Sequence, residues 1–241
     1  DFTINSIYSD KDGNLFDPFN GKRDLENGII NFIGDINIRL KEDYLRILRY
    51  VRFFLNYSKQ PHNLEIIRSL KINIGGISKL SKERLLDELK KIAKINTLEK
   101  LSKDKFCLDL ILLVFPELKN LKNFSKLNEI SRNILKKKDF IFLISLMIVD
   151  ETDNADYFLY KYNISNKNKK RIKIIDNFYK EKVNQNTFKE NNLNKFFYYF
   201  GREATLDVLN FKVIKSKKTD SSLKELIKKY ENKEIPIMPV N

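Results

Sequence analysis

The sequence has 241 residues, of which 42% are apolar and 32% are charged, and its formal net charge is +14. This length is enough for one large domain or two to three small ones, and the composition is that of a globular protein rather than a disordered one. With 7 glycines and 5 prolines, there is little material for a turn-rich β architecture. Long stretches of Leu, Ile, Lys and Glu favour helices instead.

The positive charge is spread along the whole chain, which is typical of a protein that binds a polyanion such as nucleic acid. An AT-rich genome, which enriches lysine everywhere, is the alternative explanation. The single cysteine, Cys107, excludes a disulfide framework and predicts no zinc site built of thiolates. Its apolar neighbours predict a buried core residue, and we expect a reducing, cytoplasmic compartment. Because the chain opens on Asp1 rather than Met, we expect a processed or partial sequence.

The first predicted element is a β-hairpin. Two short apolar segments, at residues 2–8 and 15–19, flank the Asp12-Gly13 step, and such a step between apolar strands is a strong hairpin signal. A helical period begins near residue 40. We predict one helix over residues 41–55, with Glu42 and Asp43 in its first turn, where the helix dipole favours acidic side chains.

Further helices are predicted along the remaining chain. A short helix is expected near residues 64–70, after a loop that contains His62, the only histidine, and Ser81 is the predicted N-cap of a helix over residues 82–95. The apolar residues 140–149 are too few to cross a membrane and predict a core helix, and the aromatic residues 196–200 are predicted to pack in the core rather than to stack on bases. The other predicted helices span residues 106–114, 121–136, 139–149, 155–162, 167–182, 193–200, 202–212 and 221–232, and Pro236 and Pro239 end the last.

The most informative segment is residues 42–53, where Arg46, Arg49 and Arg52 recur every third residue behind an acidic pair. On one continuous helix, Asp43 and Arg46 would be neighbours. A fixed carboxylate accepts a hydrogen bond from the amino group of cytosine or adenine, and a guanidinium donates to ring nitrogens or carbonyls. Uracil and guanine would instead turn an acceptor toward the carboxylate. The alternative is a surface helix whose ion pairs contribute only about 0.2–0.5 kcal/mol each.

Four motifs follow one another over roughly the first 95 residues, namely residues 1–5 (DFTIN), 17–25 (DPFNGKRDL), 42–53 (EDYLRILRYVRF) and 81–89 (SKERLLDEL). In order and spacing they resemble the class II CCA-adding enzymes (tRNA nucleotidyltransferases) and bacterial poly(A) polymerases. The resemblance implies that Asp43 and Arg46 select the base. It also implies that Arg49 and Arg52 contact the incoming nucleotide, and that Asp1 and Asn5 end a motif that binds sugar and triphosphate.

Two of these motifs have structural roles in the family. The second, with Asp17, Gly21 and Asp24, matches a flexible element between head and neck. Asn20 replaces the first of its usual two glycines, which we expect to restrict the hinge. The fourth is expected to brace the neck through the residues Glu83, Arg84 and Glu88.

The resemblance implies a mainly α fold with a short β remnant of a nucleotidyltransferase head at residues 1–37, a helical neck at 38–97 and an RNA-binding helical body at 98–241. The intact enzyme would add C and A to tRNA 3′ ends from CTP and ATP. Its Mg²⁺ would be bound by paired aspartates expected before Asp1, so this chain alone is predicted to be inactive, and a tail is expected beyond Asn241. The motifs equally fit an A-adding enzyme or poly(A) polymerase. A non-catalytic RNA-binding module that complements a separate head is the second alternative.

Overall fold

The computed structural model describes residues 1–180, 190–216, 221–232 and 234. The described residues form α-helices, short 3-10 helices and one small β-hairpin, so the predicted mainly α fold is confirmed. The chain divides into two compact units, Asp1–Val114 and Phe115–Asn241. The predicted division into head, neck and body stays a prediction.

The first unit begins with the hairpin and continues as helices. Its strands pair antiparallel, with Tyr8 opposite Phe16 and Ser9 opposite Leu15, which confirms the predicted hairpin. The first apolar segment joins the hairpin only at its end, because residues 3–5 form a 3-10 helix. The elements of this unit are two 3-10 helices (Thr3–Asn5 and Ile74–Lys79), β1 (Tyr8–Ser9), β2 (Leu15–Phe16), α1 (Gly21–Asn27), α2 (Ile36–Glu42), α3 (Arg46–Tyr57), α4 (Leu64–Asn73), α5 (Lys82–Ile92), α6 (Ile95–Leu101) and α7 (Lys105–Val114).

The predicted single helix over residues 41–55 is wrong. Glu42 is the last residue of α2, Asp43 is extended with φ −152° and ψ 104°, and α3 begins at Arg46. The carboxylate Oδ1 of Asp43 accepts from the backbone N–H of Leu45 at 3.1 Å, and the Asp43 carbonyl accepts from the N–H of Arg46. Such local hydrogen bonds of an aspartate compete with helical ones, so the chain starts a new helix here.

Helix α3 lies at the centre of the first unit and packs against α2, α5 and α6. Its apolar face, which includes Ile47, Leu48 and Val51, is fully buried. The ring of Phe2 packs on Phe53 at 5.1 Å between centroids, so the N-terminal segment is fixed to α3. Because Phe2 adjoins Asp1, this packing also sets where the first carboxylate lies.

Ser81 caps α5 as predicted, since its hydroxyl accepts from the N–H of Arg84 at 3.3 Å. The predicted end of that helix is wrong, however. Helix α5 ends at Ile92, because Ala93 leaves helical geometry with ψ 56°, and α6 starts three residues later. The short connection keeps the two helices distinct.

The second unit is helical throughout its described residues. Its elements are a 3-10 helix (Leu121–Lys126), α8 (Glu129–Leu135), α9 (Phe140–Ile148), α10 (Asn154–Lys161), α11 (Asn166–Lys180), α12 (Glu190–Lys215) and α13 (Ser221–Glu231). The predicted helix over residues 121–136 is wrong, because Asn128 is extended and caps α8 by accepting from the N–H of Ser131 at 2.8 Å. The predicted separation of helices at residue 201 is confirmed, since Gly201 is non-helical within α12. Pro236, Pro239 and the predicted end of a helix at residue 182 lie outside the described residues.

Two apolar segments of the second unit, residues 140–149 and 196–200, differ in how far their side chains are buried. Helix α9 is buried along Ile141–Ile148, which confirms the predicted core helix. In the aromatic segment 196–200, Phe197 is fully buried, but Tyr198, Tyr199 and Phe200 are exposed, Tyr199 to 73%. The prediction that this whole segment packs in the core is therefore wrong for these three residues. Among the described residues, no helix combines the length and apolar character needed to cross a membrane.

Candidate nucleotide-selecting site

The site is built around three arginines on α3, here called the arginine row (Arg46, Arg49 and Arg52). Arg46 donates from Nε to Oδ1 of Asp1 at 2.7 Å and from Nη1 to Oε2 of Glu42 at 2.7 Å. Arg49 donates to the other oxygen of the Asp1 carboxylate. One carboxylate at the start of the chain therefore holds two guanidinium groups that are 45 and 48 residues away in sequence.

Charge pairing favours the ionised form of Glu42. The hydrogen bond from Arg46 is the main cause that lowers the pKa of Glu42 below its ordinary value. Glu42 and Arg46 lie on different helices, because the chain breaks between them. Their pair therefore joins the end of α2 to the beginning of α3.

The third member of the row, Arg52, pairs with a buried partner. Its Nε donates to Glu88 on α5, whose side chain is 0% exposed and also accepts from Nζ of Lys91 at 3.1 Å. The Arg52 guanidinium lies over the ring of Phe53, 4.3 Å from its centroid. A buried carboxylate requires such pairing, so Arg52 joins α3 to α5 here. Its predicted contact with a nucleotide stays a prediction.

Asp43 contacts a residue that sequence reasoning assigned only a bracing role. Its Oδ2 accepts from Nη2 of Arg84 at 2.9 Å, whereas Arg46 donates to Asp1 and Glu42. The expectation that Asp43 and Arg46 are neighbours on one helix is thus replaced by two side chains on opposite sides of a helix break. Arg84 is 41 residues from Asp43 in sequence. The sequence indicates this ion pair only if the motifs at residues 42–53 and 81–89 are considered together.

The second motif packs closely against the first. Asp17 accepts from the N–H groups of Gly21 and Lys22 at 2.7 and 2.9 Å, and these backbone hydrogen bonds, that of Lys22 foremost, lower the pKa of Asp17. Asp24 accepts from the hydroxyl of Thr3 at 2.6 Å. Asp17 therefore holds the beginning of α1, and Asp24 joins that helix to Thr3.

Positions 20 and 21 of this motif have different requirements, one for backbone conformation and the other for space. Asn20 adopts the left-handed region with φ 55°, a conformation that Asn tolerates better than most residues. At Gly21, a Cβ would collide with the carbonyl of Thr3. Glycine is therefore required at position 21 for a close approach, and Asn fulfils the conformational need at position 20.

The other predicted site residues lie at the edges. Asn5 ends the first 3-10 helix and is exposed, and Glu83 is exposed in the first turn of α5. Magnesium prefers several oxygen ligands, but Asp1, Asp43 and Glu88 are each paired with an arginine. The described residues of the site therefore do not fit a magnesium ion.

Comparison with known proteins shows which proteins this chain is similar to. Residues 1–31 match the family model described as the poly A polymerase head domain. Over 94 residues the chain is 43% identical to "CCA tRNA nucleotidyltransferase 1, mitochondrial" of Danio rerio, a match that covers 38% of this chain and 22% of that protein. Over 212 residues it is 28% identical to a CCA-adding enzyme of Staphylococcus saprophyticus, covering 88% of this chain and 50% of that one. The chain is thus similar to CCA-adding enzymes over part of their length.

Solved structures of CCA-adding enzymes share the fold. The Bacillus stearothermophilus CCA-adding enzyme in complex with CTP aligns with a TM-score of 0.63 at 20% identity, covering 95% of this chain and 57% of that chain. A Thermotoga maritima CCA-adding enzyme complexed with tRNA_CCA aligns with a TM-score of 0.62, covering 96% of this chain and 59% of that chain. This chain thus spans half or less of the curated CCA-adding relatives it matches, and less than two thirds of these two solved chains.

Proposed function

We propose that this chain is the nucleotide-selecting and RNA-binding part of an enzyme that adds C and A to tRNA 3′ ends from CTP and ATP without a nucleic-acid template. One observation carries the proposal. Asp43 and Arg46, three residues apart, are both oriented by several partners, Asp43 by Arg84 and the Leu45 N–H and Arg46 by Asp1, Glu42 and the Arg39 carbonyl. Side chains that discriminate between bases must be held in place by such surrounding contacts.

The chemistry of this pair favours cytosine and adenine. The Asp43 carboxylate can only accept hydrogen bonds, so it pairs with the exocyclic amino groups of C and A. Uracil and guanine would turn a carbonyl oxygen toward it and leave both acceptors without a donor. Arg46 supplies donors to the acceptors of the same base edge. Arg49 has 29% of its side chain exposed and is suited to the triphosphate, because arginine binds phosphate oxygens in pairs.

The role of this chain is selection, and the metal chemistry belongs elsewhere in the intact enzyme. When bound, Mg²⁺ activates a hydroxyl nucleophile and stabilises the leaving pyrophosphate. The carboxylates of this site are paired with basic side chains and do not fit that ion. The described residues bind and orient the nucleotide, and we propose that the magnesium-binding aspartates lie outside this sequence.

The RNA partner is supported by charge and by exposed aromatic side chains. A net charge of +14 suits a phosphate backbone, and the exposed rings of Tyr198 and Tyr199 are suited to stacking on unpaired bases. The free, buried Cys107 supports a reducing compartment, and we propose the cytoplasm. An enzyme that adds only A uses the same residues and is the second candidate.

The test is nucleotide incorporation by the intact enzyme into tRNA that lacks CCA, with each of the four nucleoside triphosphates supplied alone. We expect incorporation of C and then A. Asp43→Ala should reduce the preference for C and A over U and G by roughly 10- to 100-fold, the discrimination of about 1–3 kcal/mol that one good base contact provides. Binding of tRNA should be unchanged.

Two control variants separate selection from folding. Arg84→Ala removes a partner that orients Asp43 but keeps the carboxylate, so selectivity should fall by less than in Asp43→Ala. Asp87→Ala changes an exposed aspartate on α5 and should have no effect. Selectivity that survives Asp43→Ala would contradict the proposed role. Incorporation of A alone would favour the A-adding enzyme, and tRNA binding without any incorporation would favour the non-catalytic module.

A further inference from the structure

A second group of chemically active side chains lies in the first unit, away from the arginine row. His62, in the connection between α3 and α4, meets Asp104 and Cys107 at the beginning of α7. The Nε2 atom of His62 is 3.0 Å from Oδ2 of Asp104 and 3.8 Å from Sγ of Cys107. One nitrogen, one oxygen and one sulfur donor thus lie within 4.8 Å of one another. Among the described residues, this is the single group of three or more metal-capable side chains at such distances.

Each of the three side chains is oriented by contacts outside the trio. The Tyr50 hydroxyl lies 2.9 Å from Nδ1 of His62, and the Phe54 ring stacks on the imidazole at 3.6 Å between centroids. Oδ1 of Asp104 accepts from the N–H of Cys107 at 2.8 Å, which leaves Oδ2 turned toward His62. Metal-binding histidines and carboxylates in proteins are generally held by such outer partners.

We propose that His62 Nε2, Asp104 Oδ2 and Cys107 Sγ bind one zinc ion, with a water molecule as the fourth ligand. Zinc accepts nitrogen, oxygen and sulfur ligands in tetrahedral geometry. At ordinary zinc–ligand bond lengths, the donors of such a site stand about 3.3–3.6 Å apart. The observed 3.0 and 3.8 Å differ from these separations by a few tenths of an ångström, and all three donors lie within 4.8 Å of one another, so side-chain rotations without a backbone change would bring them to one ion.

The kind of donor argues for zinc over the ions of phosphoryl-transfer enzymes. Magnesium and calcium take oxygen ligands almost exclusively, whereas thiolate and imidazole are typical ligands of zinc. Cys107 is fully buried, and Asp104 has 24% of its side chain exposed. Water and the ion therefore reach the site from the Asp104 side.

The proposed ion would fasten segments that are distant in sequence. His62 is 42 residues from Asp104 and 45 from Cys107, and its Tyr50 partner belongs to α3. Zinc would thus attach the α3–α4 connection to the beginning of α7 and stabilise the first unit. Without zinc, the same atoms form a hydrogen-bonded chain from Tyr50 through His62 to Asp104, and this simpler arrangement is the competing explanation.

Cobalt substitution distinguishes the two explanations. The 241-residue chain is stripped of metal with a chelator and titrated with Co²⁺, and its absorption spectrum is recorded. We expect saturation at about one ion per chain, a thiolate-to-cobalt charge-transfer band and the intense visible bands of four-coordinate cobalt, all displaced by Zn²⁺. Because the sequence contains one cysteine and one histidine, a thiolate band can only come from Cys107. Absence of that band in the folded protein would overturn the proposal.

Matched variants locate the ion without relying on one substitution. Cys107→Ser should abolish the thiolate band. Asp104→Asn keeps the helix cap, since Asn and Asp cap helices equally well, but should weaken zinc binding at least about 10-fold, the lower range seen when even an outer partner of a ligand is lost. Asp109→Asn, an exposed position on the same helix, should bind like the unaltered chain. Equal zinc binding by Asp104→Asn and Asp109→Asn would overturn the proposed ligand set.

Discussion

At the scale of single residues, position 21 shows how two distant backbone segments determine one side chain. The carbonyl of Thr3 occupies the space that a Cβ at Gly21 would need, and the Gly21 N–H donates to Asp17. A methyl group here has to push apart the N-terminal segment and α1. No side-chain rotation relieves this collision, because the backbone of residue 21 fixes its Cβ and the nearest atoms are the carbonyl oxygen and carbon of Thr3.

We predict that Gly21→Ala lowers the free energy of unfolding by about 1–3 kcal/mol, the usual cost of overpacking. Gly75→Ala is the control, because nothing lies within 4 Å of a Cβ at that position. It should be neutral or stabilise by about 0.4–1 kcal/mol through the unfolded chain. Urea unfolding followed by far-UV circular dichroism measures both. Equal stability of the two variants would show that the close approach is not rigid.

At the scale of elements, the break within α12 depends on one glycine. Gly201 has φ 80° and ψ 177°, a combination that is essentially restricted to glycine. The break lets residues from both halves of α12 join α13 in one apolar cluster, formed by Leu193, Phe197, Leu209, Leu223 and Tyr230. A continuous helix would direct one of these halves away from the cluster.

We predict that Gly201→Ala destabilises this cluster by about 1–3 kcal/mol, the typical cost of holding a non-glycine residue in such a conformation. Amide hydrogen exchange of residues on both sides of position 201 measures the effect locally. Faster exchange in residues 193–200 and 204–211, with α9 unchanged, is the expected pattern. Since nothing lies within 4 Å of a Cβ at Gly201, a steric clash would not explain the loss. Unchanged exchange would mean that alanine adopts the break without strain.

The sequence predicts those elements that depend on nearby residues and misses those that depend on competing or distant contacts. The hairpin, the Ser81 cap and the buried α9 were predictable because each depends on nearby residues, such as an Asp-Gly step or an apolar run. The breaks at Asp43 and Asn128 were missed because an acceptor side chain there competes with helical hydrogen bonds, and the apolar period continues across the break. The pairing of Asp43 with Arg84 required knowledge of how α5 packs near α3, which periodicity does not provide.

The same limit applies to the histidine and the cysteine. Each stands alone in the sequence, so no ligand spacing is visible, and the sequence predicted a loop residue and a core residue. Both descriptions agree with the structure, since His62 lies between two helices and Cys107 is buried. Their proximity follows only from the packing of the α3–α4 connection on α7.

At the scale of the whole molecule, the excess of positive charge predicts how the proposed RNA binding responds to salt. Each phosphate contact releases condensed counterions, so the logarithm of tRNA affinity should fall linearly with the logarithm of salt concentration. We predict that Lys167→Ala and Lys170→Ala, at exposed positions of α11, each reduce the magnitude of this slope by about 1 if they contact phosphate. Fluorescence anisotropy of labelled tRNA over a salt series measures the slope. Affinity independent of salt would contradict an electrostatic interface.

The helix break at Asp43 has a mechanical consequence. Because Asp43 lies outside both helices and Arg46 begins α3, their separation depends on the backbone torsions of residues 43 to 45, which belong to neither helix. A rotation there shifts the acceptor relative to Arg46 while the hydrogen bonds inside α2 and α3 stay formed. For the proposed role in base selection, a change from the smaller cytosine to the larger adenine would then require torsions in this short connection to turn, and no helical turn has to unwind.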